Sequence, residues 1–245
     1  MKNRREVINN PAILEILFIV LTTSAYLLGR LLYRKTGYML LHTVITSTIL
    51  IILFCSIFTI DIRSYGSNTK VINYLLNLSV VALGYLLYKE YDFIRSRGAA
   101  ILSATFFGSL AAIISVAGIS LLMGARYETI ITLLPKSITT PIAIVLSGQS
   151  GGMVSLTAVI VILSGIFGAV AGPWFFKLTG IKTPFAKGLA LGSAAHGIGT
   201  AKALEMGALE GAAGGLAIAL MGFFTSVLMP LILPFIKIVS EKFGA

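Results

Sequence analysis

The feature that most constrains this chain is a series of apolar stretches, each about as long as a helix that spans a bilayer. These stretches cover residues 12–32, 38–60, 71–88, 99–123, 153–176 and 216–236. A helix rises about 1.5 Å per residue, so about 20 residues cross a hydrocarbon core of about 30 Å. The strict alternation of apolar and polar residues that a membrane β-barrel requires is absent. The sequence therefore predicts an all-α, polytopic membrane protein that lies in a lipid bilayer.

Composition and charge agree with a membrane location. Of the 245 residues, 57% are hydrophobic and 11% are charged, whereas an average soluble protein has about 45–50% and about 25%. The net charge of +10 would favour nucleic acid as a partner of a soluble protein. Here the Lys and Arg residues cluster between apolar stretches, which is typical of membrane topology. We therefore expect no nucleic-acid binding.

Two segments in the second half of the chain cannot form uninterrupted apolar helices. Residues 130–152 are interrupted by Pro135, Lys136 and Pro141, and residues 184–215 are rich in Gly around His196. Each segment either crosses the membrane as a discontinuous helix or enters and returns as a re-entrant hairpin. We therefore expect six to eight crossings, and the distribution of Lys and Arg favours eight, with both termini in the cytoplasm.

The second half also contains a repeat. GIFGAVAGP at residues 165–173 matches GFFTSVLMP at residues 222–230 in Gly, Phe, Val and Pro, with an offset of 57 residues. Upstream, the sequences around Thr140 and Thr200 occupy comparable places. Interrupted helices at corresponding positions of two halves indicate a transporter binding site. We expect a single domain over residues 1–245, with N-terminal helices at 1–126 and a duplicated core at 127–245.

The first interrupted segment suggests an anion site. Thr140 before Pro141 predicts an N-cap followed by a proline in the first helical turn. The positive end of that half-helix, with a lysine and hydroxyl groups beside it, suits a carboxylate. The alternative is a Pro-kinked helix whose lysine extends to the membrane interface. The candidate residues are the helix-breaking Pro135 and Pro141 and the substrate-binding Lys136, Ser137, Thr139 and Thr140.

The second interrupted segment centres on His196. Small residues around it, Gly197 and Gly199 among them, permit close approach of a ligand, and Thr200 is predicted to cap a half-helix over residues 201–206. An imidazole with a reference pKa of about 6.5 can bind a carboxylate or carry a coupled proton. The alternative is a neutral histidine that satisfies a broken helix. We predict that His196, Gly197, Gly199 and Thr200 bind substrate.

A second titratable group is close to His196 in sequence. Glu205 is a further proton-coupling candidate, although its spacing from Lys202 predicts a pair between the two side chains. No enzyme signature, P-loop or metal-ligand spacing is present in the sequence. We expect neither an enzyme, nor a metal site, nor a cofactor.

Three blocks of the sequence closely resemble the LrgB/CidB family of antiholin-like bacterial membrane proteins. They are LPKSITTPIA at residues 134–143, SGIFGAVAGP at 164–173 and AAHGIGTAKALEMGALEGAAGGLA at 194–217. The family is related to the plastid glycolate/glycerate translocator. The resemblance implies a multi-pass protein of the bacterial cytoplasmic membrane. It also implies one of two roles: a carrier of small carboxylates such as glycolate, glycerate or pyruvate, or a regulator of murein hydrolases and cell lysis.

The two roles make different demands on the chain. A carrier explains why Lys136 and His196 occur in interrupted helices, because polar groups at membrane depth are costly and usually functional. The regulator would act with a small holin-like LrgA/CidA partner, and the Gly-rich surfaces at residues 165–172 and 207–215 suit helix association. We favour the carrier role and expect its site to be proton-coupled. We also expect the protein to form a homo-oligomer.

Overall fold

A computed structural model describes residues 11–38, 41, 43–72, 74, 75, 78, 85, 88 and 91–242. All regular elements in this part of the chain are helices, which confirms the predicted all-α class. They are α1 (Pro11–Thr36), α2 (Thr43–Ile57), α3 (Ile62–Ser67), α4 (Tyr91–Ser96), α5 (Gly98–Leu122), α6 (Tyr127–Leu133), α7 (Thr140–Gln149), α8 (Val154–Thr179), α9 (Pro184–Met206) and α10 (Ala208–Lys242). The predicted stretch at residues 71–88 lies largely outside the described residues.

Four of these helices, α1, α5, α8 and α10, are long and apolar enough to cross a membrane, and α2 is a shorter apolar helix. Their outer faces carry large exposed apolar side chains such as Leu163, Phe167 and Phe223. Such faces are stable in lipid and unfavourable in water. The chain is therefore a multi-pass membrane protein, while the number of crossings stays a prediction.

Contacts divide the chain into two compact units, Met1–Ala82 and Leu83–Ala245. In the first unit α1 packs on α2, where the Gly29 Cα approaches the Thr43 backbone so closely that an added Cβ would lie 2.8 Å from the carbonyl oxygen. The Tyr65 ring makes an edge contact with Phe18, at 5.1 Å between ring centroids. The Glu15 carboxylate accepts a hydrogen bond from the backbone N–H of Val71, at 3.0 Å.

In the second unit α5 packs along α10. The Ser109 hydroxyl donates to the Met221 sulfur at 3.1 Å, and the Phe106 and Phe224 rings meet edge to face at 5.5 Å. Because of these contacts, the compact unit takes in α5 together with the core predicted at residues 127–245.

Residues 127–149 form a helical hairpin, here called hairpin 1, whose arms α6 and α7 both contact α8. The Thr157 hydroxyl on α8 lies within hydrogen-bond distance of two groups, the Thr132 carbonyl oxygen of α6 at 3.1 Å, to which it can donate, and the Ser147 hydroxyl of α7 at 2.7 Å. Thr132 and Ser147 therefore lie at the same level, although fifteen residues separate them in the chain. The chain reverses direction between them at residues 134–139.

Helix α9 is also a hairpin, here called hairpin 2. Its backbone is non-helical at Ala195 (φ −130°, ψ 17°) and at His196 (φ 42°, ψ −130°). Across this break, an added Cβ at Gly199 would overlap the carbonyl oxygen of Leu191. In a continuous helix those two residues would be about 12 Å apart along the axis. Residues 184–194 therefore enter and residues 197–206 return beside them.

The two hairpins approach α8 from opposite ends. Hairpin 1 has its base beside Thr157, near the start of α8. Hairpin 2 runs the other way: Leu191 lies against Gly172, and Ala195, nearer the tip, lies against Gly168. Both tips therefore reach the middle of α8. The repeat offset of 57 residues relates the two hairpins arm by arm, since residues 127–149 correspond to 184–206.

Three sequence predictions about helix ends were wrong. Thr139, and not Thr140, is the N-cap of α7. Thr200 caps no helix, because the returning arm begins directly after His196. The last apolar stretch, predicted at residues 216–236, belongs to a 35-residue helix that already begins at Ala208. The glycines at its start lie against α9. The two backbones approach so closely there that larger residues would not fit.

Candidate functional site

The tip of hairpin 1 is held on α8 through its backbone. The Ser164 hydroxyl donates to the Lys136 carbonyl oxygen at 2.6 Å, and the Lys136 ammonium donates to the Ser137 hydroxyl at 3.1 Å. Thr139 has the extended conformation of an N-cap, but its side chain makes no capping hydrogen bond. Pro141 occupies the first turn of α7, where its missing N–H costs no helical hydrogen bond. The Lys136 backbone and side chain are thus held in position at this tip.

The tip of hairpin 2 is held on α8 by His196. The side chain is 5% exposed, and its Nε2–H donates to the Val161 carbonyl oxygen at 2.9 Å. A carbonyl oxygen can only accept, so this bond fixes the tautomer with the proton on Nε2. The Nδ1 atom is then the one that can take up a proton.

Glycines on α8 make room for this tip. An added Cβ at Gly165 would lie 2.7 Å from both Cε1 and Nε2 of His196, and one at Gly168 would lie 2.6 Å from the Ala195 Cβ. Real Cβ contacts are not this short, so any larger residue would displace the tip. The α8 glycines therefore position His196.

The two tips meet on one turn of α8. Val161 binds the His196 ring and Ser164 binds the Lys136 backbone, and these α8 residues are three apart, on one face of the helix. Lys136, through its backbone, and His196, through its ring, are therefore both bound to this turn of α8. The structure thus places on one turn of α8 two of the three charged or titratable residues that the sequence singled out.

Helix polarity adds to this arrangement. Both returning arms, α7 and residues 197–206, begin at the tips, so their positive N-terminal ends converge there. Free backbone N–H groups at two helix starts, with an ammonium group nearby, favour a small anion. Gly197 is exposed at the second of these starts, with open space around its Cα.

The remaining sequence-predicted residues lie away from the tips. Gly199 packs between the two arms of hairpin 2. The Thr200 side chain is 2% exposed and faces Gly214 of α10, and its hydroxyl has no hydrogen-bond partner among the described residues. Glu205 and Lys202 form the predicted pair, with 2.9 Å between Oε2 and Nζ. Glu205 is thus already bound by a cation at the exposed end of the arm.

The polar contacts that hold hairpin 1 were not predicted from the sequence. The buried hydroxyls of Thr132, Ser147 and Thr157 join α6, α7 and α8, and the Met153 backbone N–H donates to the Thr132 hydroxyl at 2.9 Å. Ser164 supplies the bond to the tip. Single hydroxyls in apolar helices usually bond to their own backbone, so only their placement on facing helices reveals the role.

The Gly-rich surfaces at residues 165–172 and 207–215 are used inside the chain. Gly165 and Gly168 lie against hairpin 2, and residues 211–214 of α10 are buried against α9. The prediction that these surfaces serve association with a partner was therefore wrong for their buried faces, because the chain's own hairpin occupies them.

Comparisons with a family model and with individual relatives indicate the same protein family. The LrgB-like family model matches residues 22–235. YxaC of Bacillus subtilis (strain 168), described as uncharacterized, is 37% identical over 221 residues, which cover 90% of this chain and 96% of that relative. The antiholin-like protein LrgB of Bacillus cereus (strain B4264) is 32% identical over 89% of this chain and 95% of its own length. A protein of the same name from Bacillus anthracis matches to the same extent.

No solved structure matches this chain. The family match and the identity to relatives over nearly their full lengths nevertheless decide the assignment: the chain belongs to the LrgB-like family. Its resemblance to that family is thereby confirmed.

Proposed function

We propose that this LrgB-family protein carries small carboxylate anions across the membrane, through a site between the tips of hairpins 1 and 2. The observation that carries the proposal is the meeting of the two tips at the middle of α8, with Lys136 on one and His196 on the other. Repeats with interrupted helices that meet near the bilayer midplane are typical of secondary transporters.

The same geometry supports a membrane topology in which both hairpins are re-entrant. A hairpin that returns to its starting side does not cross, so each repeat contributes one crossing, α8 or α10. An odd number of crossings per repeat inverts the second repeat relative to the first. This arrangement favours re-entrant hairpins over the eight-crossing alternative, and it explains why the hairpins approach α8 from opposite ends.

The site would hold an anion through opposite charge and through hydrogen bonds. Lys136 supplies the opposite charge, and the N–H groups at the starts of α7 and of residues 197–206 supply directed hydrogen bonds. Ser137, Thr139 and Thr140 offer hydroxyls beside the charge. Protonation of His196 at Nδ1 would let one proton bind with each carboxylate, so that anion and proton together add no net charge to the low-dielectric core.

The test is uptake of radiolabelled glycolate, glycerate and pyruvate into proteoliposomes that contain the purified protein alone. We expect saturable uptake of at least one of them, faster under an inward proton gradient. Proteoliposomes with the Lys136→Met variant are the control for leakage. Uptake no faster than in protein-free liposomes, with all three substrates at every pH, would refute the carrier.

A second candidate function is antiholin-like control of murein hydrolases and lysis, and the names of the 32% identical relatives favour it. It predicts association with a small LrgA/CidA-like membrane protein. Because the glycine faces of α8 and α10 are covered by hairpin 2, such a partner would bind elsewhere, on the lipid-facing side chains. Altered lysis on co-expression with that partner, equally strong with the Lys136→Met variant, would favour this function over the carrier.

A further inference from the structure

A cavity of about 420 Å³ lies at the C-terminal end of α8, at the base of hairpin 2 and away from the meeting point of the tips. Three lysines line it: Lys177 in the last turn of α8, Lys182 in the connection and Lys187 in the first arm of hairpin 2. None of the three forms an ion pair with an Asp or Glu in the described part of the chain. The cavity thus holds positive charge that the protein leaves unneutralised.

The depth of the cavity can be inferred from α8. This helix has 26 residues and is about 39 Å long, more than the hydrocarbon core of about 30 Å. The single tryptophan of the chain, Trp174, is 65% exposed one turn before Lys177, and Phe175 is 50% exposed beside it. Exposed Trp at a helix end marks the membrane–water interface. The lysines therefore lie at the level of lipid headgroups.

The rest of the lining is apolar. Pro173 and Phe176 of α8, Ile181 of the connection and Met206 at the end of α9 complete the wall. An inorganic anion makes no favourable contact with an apolar surface. A phospholipid, in contrast, contains both an anionic phosphate and apolar carbon atoms. The combination of unpaired lysines, apolar wall and interfacial depth selects an amphiphile.

We propose that this cavity binds the phosphate of an anionic phospholipid headgroup, held by Lys177, Lys182 and Lys187. Basic pockets between helices at this depth suit such headgroups. The lysines come from α8, the connection and hairpin 2, so one phosphate bound among them fastens the base of hairpin 2 to α8. The site is separate from the proposed carrier site and does not depend on it.

The experiment measures thermal stability and bound lipid. Protein in mild detergent is titrated with phosphatidylglycerol, with zwitterionic phosphatidylcholine, and with inorganic phosphate at equal phosphate concentration, and native mass spectrometry counts the lipids bound. We expect phosphatidylglycerol alone to raise the unfolding midpoint. Lysines near an anionic surface each contribute about fivefold in affinity, so a Lys177→Gln/Lys182→Gln/Lys187→Gln variant is expected to bind on the order of 100-fold more weakly.

The matched control removes the same charge elsewhere. Arg126, Lys237 and Lys242 are exposed and lie at the opposite end of the unit, where Tyr127 and Ile236 share an apolar cluster. Their triple Gln variant is expected to keep the phosphatidylglycerol effect. An equal loss of the phosphatidylglycerol effect in both triple variants would mean that general surface charge causes it. That result would overturn the proposed site.

Two further results would also overturn the proposal. Stabilisation by inorganic phosphate equal to that by phosphatidylglycerol would assign the cavity to a soluble anion. An unchanged response to phosphatidylglycerol in the cavity variant would show that the lysines bind nothing. If the triple Gln variant fails to fold, the single Lys187→Gln variant replaces it, with about a fivefold loss expected and Lys187→Arg expected to keep binding.

Discussion

The packing of hairpin 2 on α8 makes a quantitative prediction about single methyl groups. A Cβ at Gly168 would lie 2.6 Å from the Ala195 Cβ, whereas carbon atoms in contact are about 3.5–4.0 Å apart. The Ala195 methyl cannot rotate away, so Gly168→Ala must move the tip by about 1 Å. Overpacking of this kind typically costs about 1–3 kcal/mol.

Two other glycines supply the controls. A Cβ at Gly118 of α5 would meet nothing within 4 Å, and one at Gly172 would lie 2.6 Å from the Leu191 Cδ2, with its other contacts at 3.7 Å or more. Replacing Gly by Ala in an open helical position stabilises a helix by about 1 kcal/mol, and this gain is common to all three variants. The leucine end can rotate, so Gly172→Ala is expected to cost less than Gly168→Ala.

The assay is the thermal unfolding midpoint of the purified variants in one detergent. For a protein of this size 1 kcal/mol shifts the midpoint by about 2–4 °C, so Gly168→Ala is expected to unfold about 2–12 °C below Gly118→Ala, with Gly172→Ala between them. Equal midpoints for Gly168→Ala and Gly118→Ala would refute the placement of the hairpin tip against α8.

Three further predictions concern side chains of the proposed site and its surroundings. Lys136→Met is expected to abolish carboxylate uptake while leaving folding near normal, because it removes a charge from membrane depth. Lys202→Met, which breaks only a partly exposed ion pair, is expected to retain uptake, and equal uptake by both variants would contradict the role of Lys136. His196→Gln keeps a hydrogen-bond donor for the Val161 carbonyl but cannot titrate, so uptake is expected to survive in part without its dependence on pH. A pH–rate profile like that of the unmodified protein would place the coupled proton elsewhere. Thr200→Val removes a buried hydroxyl that has no described partner, so the unfolding midpoint is expected to rise by about 2–4 °C. A lowered midpoint would mean that the hydroxyl has a partner.

The sequence predicted which residues interrupt the helices better than it predicted how the chain passes through them. Pro135, Pro141 and the glycines around His196 are local signals, and local rules for proline and glycine interpret them. The choice between crossing and returning depends on contacts between residues far apart in sequence, such as Thr132 with Ser147 through Thr157. Lys and Arg counts gave a preference for eight crossings, which this hairpin geometry does not favour.

The repeat predicted at an offset of 57 residues also relates the bounds of the two hairpins, but at that offset the tips align differently from the sequence prediction. Shared Gly, Phe, Val and Pro fixed 57 residues for α8 and α10, yet Thr140 was matched with Thr200 because both are threonines in broken segments. At the offset of 57 the residue equivalent to Thr140 is Gly197, and His196 is the equivalent of Thr139. Residue type misled the alignment because the two tips have diverged in sequence while keeping the same hairpin.

The difference between those two equivalent tip residues bears on function. Thr139 has φ −65°, an ordinary value, whereas His196 has φ 42° and ψ −130°, a sparsely populated combination that costs a residue with a side chain about 1–3 kcal/mol. Glycine would adopt this conformation without that cost, and glycine is the residue on the C-terminal side of it. A hairpin selected only for stability would have glycine at position 196. The chain instead keeps an imidazole there, buries it, fixes its tautomer through Val161 and clears space for it with Gly165. Strain retained at one side chain, with its surroundings shaped to hold it, is typical of a residue kept for what it binds.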